Sequence, residues 1–240
     1  MLMVEKVSAA QVKRELKSLS GSPQGKTLSR FFKTGPGEYG EGDVFLGVKV
    51  PDERRVARKY RNLPLGEVLK LLQSKIHDHR QTALFILVDQ FHRAEPLGQQ
   101  KIYQLYLDNT QFVNNWDLVD CSAPKIIGAY LLNKSAERKI LYKLAKSKNL
   151  WERRIAILAT YAFIKKGQFA NTLKITEMLL ADEHDLIHKA VGWMLREVGK
   201  ADQKEEEKFL KKYYRQMPRT MLRYAIEKFP EPKRQHYLKK

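Results

Sequence analysis

Trp116 and Asp120 stand four residues apart in the stretch NNWDLVDCSAP (114–124), so on a helix they share one face. A helix face that sets a large aromatic beside a carboxylate is neither ordinary core nor ordinary surface. Asp117 needs no special account: it sits near the helix N-terminus, where a carboxylate opposes the dipole and can cap. Asp120 lies a turn further in, too late for capping. A carboxylate there is costly unless it is solvated, paired or used. Use means stabilising a developing positive charge or handling a proton. The plain alternative is an ion pair with Arg153, Arg154 or Lys189.

Other residue types carry less. Trp193, in HKAVGWMLREVGK, has apolar neighbours and taken alone reads as core. Trp151 opens the WERRIAIL helix and reads as a packing or staple residue. Arg153 and Arg154 suit either an ion pair between repeats or a bidentate phosphate clamp, and Lys189 and Arg223 extend the same ambiguity. His77 and His79 in HDHR, with His92 beyond, lack a third ligand at a recognised metal spacing and read as solvated helix-end histidines. Cys121, the single cysteine, excludes an internal disulfide and reads as an inert buried thiol. Phosphate-loop, dinucleotide, zincin and serine-hydrolase motifs are missing, which removes support for nucleotide-driven or metal-dependent chemistry and for any cofactor.

These residues must be positioned by helices. From Pro51 onward apolar residues recur at three- and four-residue spacing, and no run of alternating β-branched residues interrupts them, so the fold class is all-α. Glycine and proline concentrate earlier, in GSPQGK (21–26) and GPGEYGEGDVFLGV (35–48), which read as loops. Similar segments begin at Arg80, Asp117, Arg154, Lys189 and Arg223, spaced 37, 37, 35 and 34 residues apart, with second helical stretches between them. That period predicts an α-solenoid of HEAT-like repeats: a single domain over 1–240, with an N-terminal helical and loop region (1–50) and repeats over 51–240. Equivalent helices would then line a concave face, and its lysines and arginines would make the groove basic.

Composition agrees. Lys and Arg number 45 against 27 acids, a net charge of +18 that favours a polyanion such as nucleic acid. No stretch has the length of a membrane span, and MLMVEKVSAAQVKREL lacks signal-peptide features, so a cytoplasmic location is expected.

The segments FLGVKVPDERRVARKY (45–60), NNWDLVDCSAPKIIGAYLL (114–132), WERRIAILATYAFIKKG (151–167) and HKAVGWMLREVGK (188–200) together resemble the AlkD-type DNA alkylation repair glycosylases, proteins of HEAT-like repeats. The resemblance runs from about Phe31 to about Lys228. It implies that Asp120 is the catalytic carboxylate, that Trp116 and Trp193 face the damaged nucleotide, and that Arg154 contacts the DNA backbone. Arg153, Lys189 and Arg223 are further candidate DNA contacts, and Phe31 falls near a position that can be Tyr. Asn115 departs from relatives that carry a second tryptophan there. The implied reaction is release of cationic alkylated purines from double-stranded DNA by a monomer, without membrane, metal or nucleotide cofactor. A non-catalytic module binding damaged or branched DNA is the alternative.

Overall fold

The computed structural model describes residues 7–21, 27–28 and 31–239, so most of the GSPQGK stretch and the first six residues lie outside the described residues. Two compact units divide the chain, Met1–Ser122 and Ala123–Lys240. Among the described residues there is no strand, only an isolated bridge between Val44 and Ile76. The all-α, helical-repeat architecture expected from the spacing is present: Arg80, Asp117, Arg154, Lys189 and Arg223 each fall inside a helix.

In the first unit the helices are α1 (Ala9–Ser18), α2 (Val50–Lys59), α3 (Leu65–Leu72), α4 (His77–Arg93), α5 (Pro96–Asp108) and α6 (Trp116–Ser122). Pro51 sits in the first turn of α2, where a missing N–H costs nothing, and the Asp52 carboxylate beside it meets the helix dipole favourably. Helix α4 is central. Its run ALFILV is apolar on every side, and residues 77–87 are all buried. The segment 35–48 runs without helix into α2, and Gly37, Gly42 and Gly47 adopt positive φ of 76°, 81° and 79° there.

The second unit opens with a π-helical turn, Pro124–Gly128, followed by α7 (Ala129–Leu131), α8 (Lys139–Ala145), α9 (Leu150–Ala159) and α10 (Tyr161–Ile164). Then come α11 (Ala170–Met178), α12 (Asp185–Ala201), α13 (Gln203–Tyr213), α14 (Arg219–Ala225) and α15 (Glu231–Leu238). Side chains cap the starts: Asn149 accepts from the Trp151 amide at 2.8 Å, and Asp202 accepts from Lys204 and Glu205. Trp151 is buried, as a packing residue should be. The π-turn brings Gly128 against the α9 backbone, where an added Cβ would lie 2.1 Å from the Ala159 carbonyl oxygen. Gly192 of α12 meets the Met221 carbonyl oxygen of α14 in the same way, at 2.4 Å.

Candidate functional site

Helix α6 begins at Trp116, and the residues on either side of that tryptophan are tied down. Asn115 has no exposed surface. Its Oδ1 accepts from the Trp116 amide at 2.8 Å, and its Nδ2 donates to Asp43 Oδ2 at 3.2 Å. Asp117, an acid in the first turn of α6 as expected, accepts from the Leu118 amide through Oδ1 at 2.9 Å. Its Oδ2 takes two further bonds, from His77 Nε2 at 2.8 Å and from Gln81 Nε2 at 3.0 Å.

His77 therefore joins two carboxylates, because its Nδ1 lies 3.2 Å from Asp43 Oδ2. Asp43 Oδ1 is also paired with Arg80 at 2.5 Å, and Arg80 reaches the Ser74 carbonyl oxygen at 3.0 Å. Asp78 binds the amides of Leu46 and Val48 at 2.8 and 2.9 Å, fastening the glycine-rich segment to the first turn of α4. Burial works against the charge on Asp43, but the His77 hydrogen bond and the Arg80 charge outweigh it and hold its carboxyl below the usual range. Burial likewise works against the imidazolium of His77, yet its bonds to Asp117 and Asp43 outweigh that cost and raise its pKa. The expectation of solvated helix-end histidines is corrected here. His77 and His79 are both buried, because the all-apolar course of α4 carries its first turn inside with it. Burial lowers His79 to about 4, and its ring nitrogen faces the Ser74 hydroxyl at 2.9 Å.

Above this polar cluster lies an aromatic stack. Phe45 stacks on the His77 ring at 4.5 Å, Phe32 on Phe45 at 5.0 Å, and Phe32 on Trp116 at 5.2 Å with planes 21° apart. Phe31 meets Trp116 edge-on at 5.9 Å and is 63% exposed. Trp116 itself is half-buried, as is Asp120 one turn along α6. The half-buried Cys121 thiol and the buried Ser122 hydroxyl both point to the Leu118 carbonyl oxygen, so neither is set up as a nucleophile.

In the second unit Trp193 is half-buried, not core: its Nε1 donates to Glu197 Oε1 at 3.2 Å, and Tyr161 lies 6.3 Å away. Lys200 reaches the same carboxylate oxygen at 2.7 Å. Arg153 takes the ion-pair option, binding Asp182 at 2.6 Å and the Ser147 and Lys148 carbonyl oxygens at 3.0 Å each. Arg154 is buried and donates to the Leu186 carbonyl oxygen. Lys189 pairs with Asp185 one turn back at 2.6 Å, and Arg223 is exposed on α14. The first unit thus brings Phe31, Trp116 and Asp120 onto one short stretch of surface, while Arg153, Arg154, Lys189, Trp193 and Arg223 belong to the second.

Sequence reasoning missed Asp43, Phe32, Phe45, Arg80 and the part played by His77. Among the described residues no group of three or more His, Cys, Asp or Glu could hold a metal ion, and no helix is long and apolar enough to cross a membrane.

A family model described as "DNA alkylation repair enzyme" matches residues 12–229. The fold resembles that of a solved protein described as a predicted DNA alkylation repair enzyme from Enterococcus faecalis, with TM-score 0.69 and 17% identity over 88% of this chain and 97% of that one. It also resembles AlkD2 from Streptococcus mutans, with TM-score 0.55 and 16% identity over 93% and 97% of the two chains. The smu.31 protein of Streptococcus mutans UA159 gives 0.53 and 18% over 93% and 99%. No curated protein matches.

Proposed function

Because the chain belongs to the DNA alkylation repair enzyme family, we propose that it is a monofunctional DNA glycosylase that hydrolyses the N-glycosidic bond of N3- or N7-alkylated purines in duplex DNA. The observation that carries this reading is the pairing, on α6, of the half-buried Trp116 with Asp120 one turn on, beside the exposed Phe31 ring. An alkylated purine is already cationic, so it leaves as a neutral base and needs little help from a general acid. The sugar left behind becomes oxocarbenium-like. The Asp120 carboxylate stabilises that cation and orients the attacking water. The face of Trp116 attracts the positive charge of the lesion, an interaction of about 0.5–2 kcal/mol depending on desolvation. By the family pattern Trp193 is a further candidate for such a contact.

The surplus of lysine and arginine supplies affinity through phosphates, without sequence preference. In this reading the exposed Arg223 and the partly exposed Lys189 are candidate backbone contacts, whereas Arg153 and Arg154 are held by Asp182 and by the Leu186 carbonyl oxygen; the protein acts as a monomer, and neither metal nor nucleotide takes part.

The test is release of N7-methylguanine from duplex DNA by the wild type and by Asp120→Asn, which keeps the shape of the side chain and removes its charge. The expected result is release by the wild type and a loss of about 10²–10⁴-fold in the variant, with duplex affinity unchanged. Tight duplex binding by both proteins with release by neither would leave a DNA-binding module in place of the enzyme.

A further inference from the structure

The buried cluster beneath Trp116 has a feature that packing does not require. A neutral imidazole carries one N–H, yet both ring nitrogens of His77 face carboxylate oxygens, Asp43 Oδ2 at 3.2 Å and Asp117 Oδ2 at 2.8 Å. Only the imidazolium can donate to both. The tryptophan is bound to this arrangement by three routes. Asn115, on its N-terminal side, bonds to Asp43, and Asp117, on its C-terminal side, bonds to His77. Its ring rests on Phe32, which lies 5.2 Å from the His77 ring and 5.0 Å from Phe45. The glycine-rich segment that carries Asp43 and Phe45 is fastened at the same place, since the His77 amide donates to the Val44 carbonyl oxygen at 2.8 Å.

We propose that His77 is a positioning residue: as an imidazolium bridging Asp43 and Asp117, it locks the glycine-rich segment to α6 and so sets the plane of the Trp116 ring. This rests on the glycosylase reading for its effect on base release, though not for its effect on the tryptophan. The charged groups acting on His77 are Asp43 from the segment, Asp117 from α6 and Arg80 from α4 itself, and Asp117 together with Asp78 acts in turn on the buried Glu53 of α2. Loss of the proton turns a ring lone pair toward a buried carboxylate, and one strut of the lock fails.

The sign follows from the direction of the shift. The folded-state pKa is raised above the ordinary 6.5, so the lock is complete below about that pH and is lost as pH rises through the raised value. Single-turnover release of N7-methylguanine by the wild type should therefore fall on the alkaline side along a one-proton curve and level off at the reduced rate of a site without the imidazolium. His77→Gln, neutral at every pH, should lack that limb and run flat at a reduced rate.

A second readout needs no activity. The imidazole signal of His77, identified among the six histidines by its absence from His77→Gln, should titrate with a midpoint above 6.5. The Trp116 indole N–H signal, one of three and assigned with Trp116→Phe, should move with the same midpoint. If His77→Gln does not fold, Asp117→Asn serves instead and should lower the His77 midpoint by about one pH unit or more. A wild type that releases no base would refute the glycosylase reading and leave the indole titration to decide this one. A His77 midpoint below 6.5, or an indole signal indifferent to it, would overturn the proposal.

Discussion

Glu53 is 1% exposed in the first turn of α2, and its Oε2 has no hydrogen-bond partner. Burial, together with the charges of Asp78 and Asp117, pushes its carboxyl up to about 9 from an ordinary 4.5, against the weaker pull of Arg54. At neutral pH the folded protein therefore holds a proton there that the unfolded chain has released. A raised folded-state pKa gives stability that is complete below about 4.5 and lost as pH climbs toward about 9. Each pH unit in that window costs about 1.4 kcal/mol. Glu53→Gln has nearly the same shape and never needs the proton, so its stability relative to the wild type should rise by about 2.7 kcal/mol between pH 5.5 and 7.5. A buried amide N–H₂ without a partner costs about 1–3 kcal/mol, but that cost does not change with pH and cancels from the difference between the two pH values. Urea unfolding of both proteins, followed by circular dichroism at several pH values, reads this difference directly. A stability difference that stays flat across the window would refute the reasoning, because it would mean that Glu53 is ionised in the folded state. The proton also has a consequence for the site. A neutral Glu53 adds no further negative charge to Asp78 and Asp117, on which the seating of Trp116 depends.

Two other outcomes test the second unit. Gly128→Ala places a methyl 2.1 Å from the Ala159 carbonyl oxygen and 2.9 Å from Ala162 Cβ, so the π-turn and α9 must separate. The expected cost is about 3 kcal/mol, a fall in Tm of about 6–12 °C by calorimetry, and an unchanged Tm would show that the two elements part freely. Glu197→Gln keeps an acceptor for the Trp193 indole but removes the carboxylate charge beside it. Its indole N–H signal should shift, and release of a cationic purine should drop by up to about tenfold, within the range of a cation–π contact, with duplex affinity unchanged.

How much of this was legible follows from what each feature depends on. The helices at 80, 117, 154, 189 and 223 were visible because a repeat writes its period along the chain, and each predicted start lies within a helix. The shared face of Trp116 and Asp120 followed from helical spacing alone. Arg153 and Arg154 could not be separated in advance. Neighbours on a helix point about 100° apart, and which of them meets Asp182 and which the Leu186 carbonyl oxygen depends on helices some thirty residues away. The place of Asp117 in the first turn of α6 was local and therefore legible. Its bonds to His77 and Gln81 span 40 and 36 residues and were not.

The histidines show why such a network escapes a local reading, and also where its trace lies. Taken alone, HDHRQT is a polar helix start, and polar starts are normally solvated. The six residues that follow it, ALFILV, are apolar in unbroken succession, so they leave no face of α4 for water. The polar turn that leads into this run is enclosed with it, whereas beyond the run the helix returns to solvent at His92 and Arg93. A buried turn that carries two histidines, an aspartate and an arginine then requires acceptors and donors from elsewhere. An acid in a segment that glycine leaves free to fold back, and an acid beside a tryptophan, are the partners the fold supplies as Asp43 and Asp117. The signal was therefore a mismatch between the polarity of one turn and the burial demanded by the next. What the sequence lacked was the identity of the partners, which only the tertiary course of the chain decides.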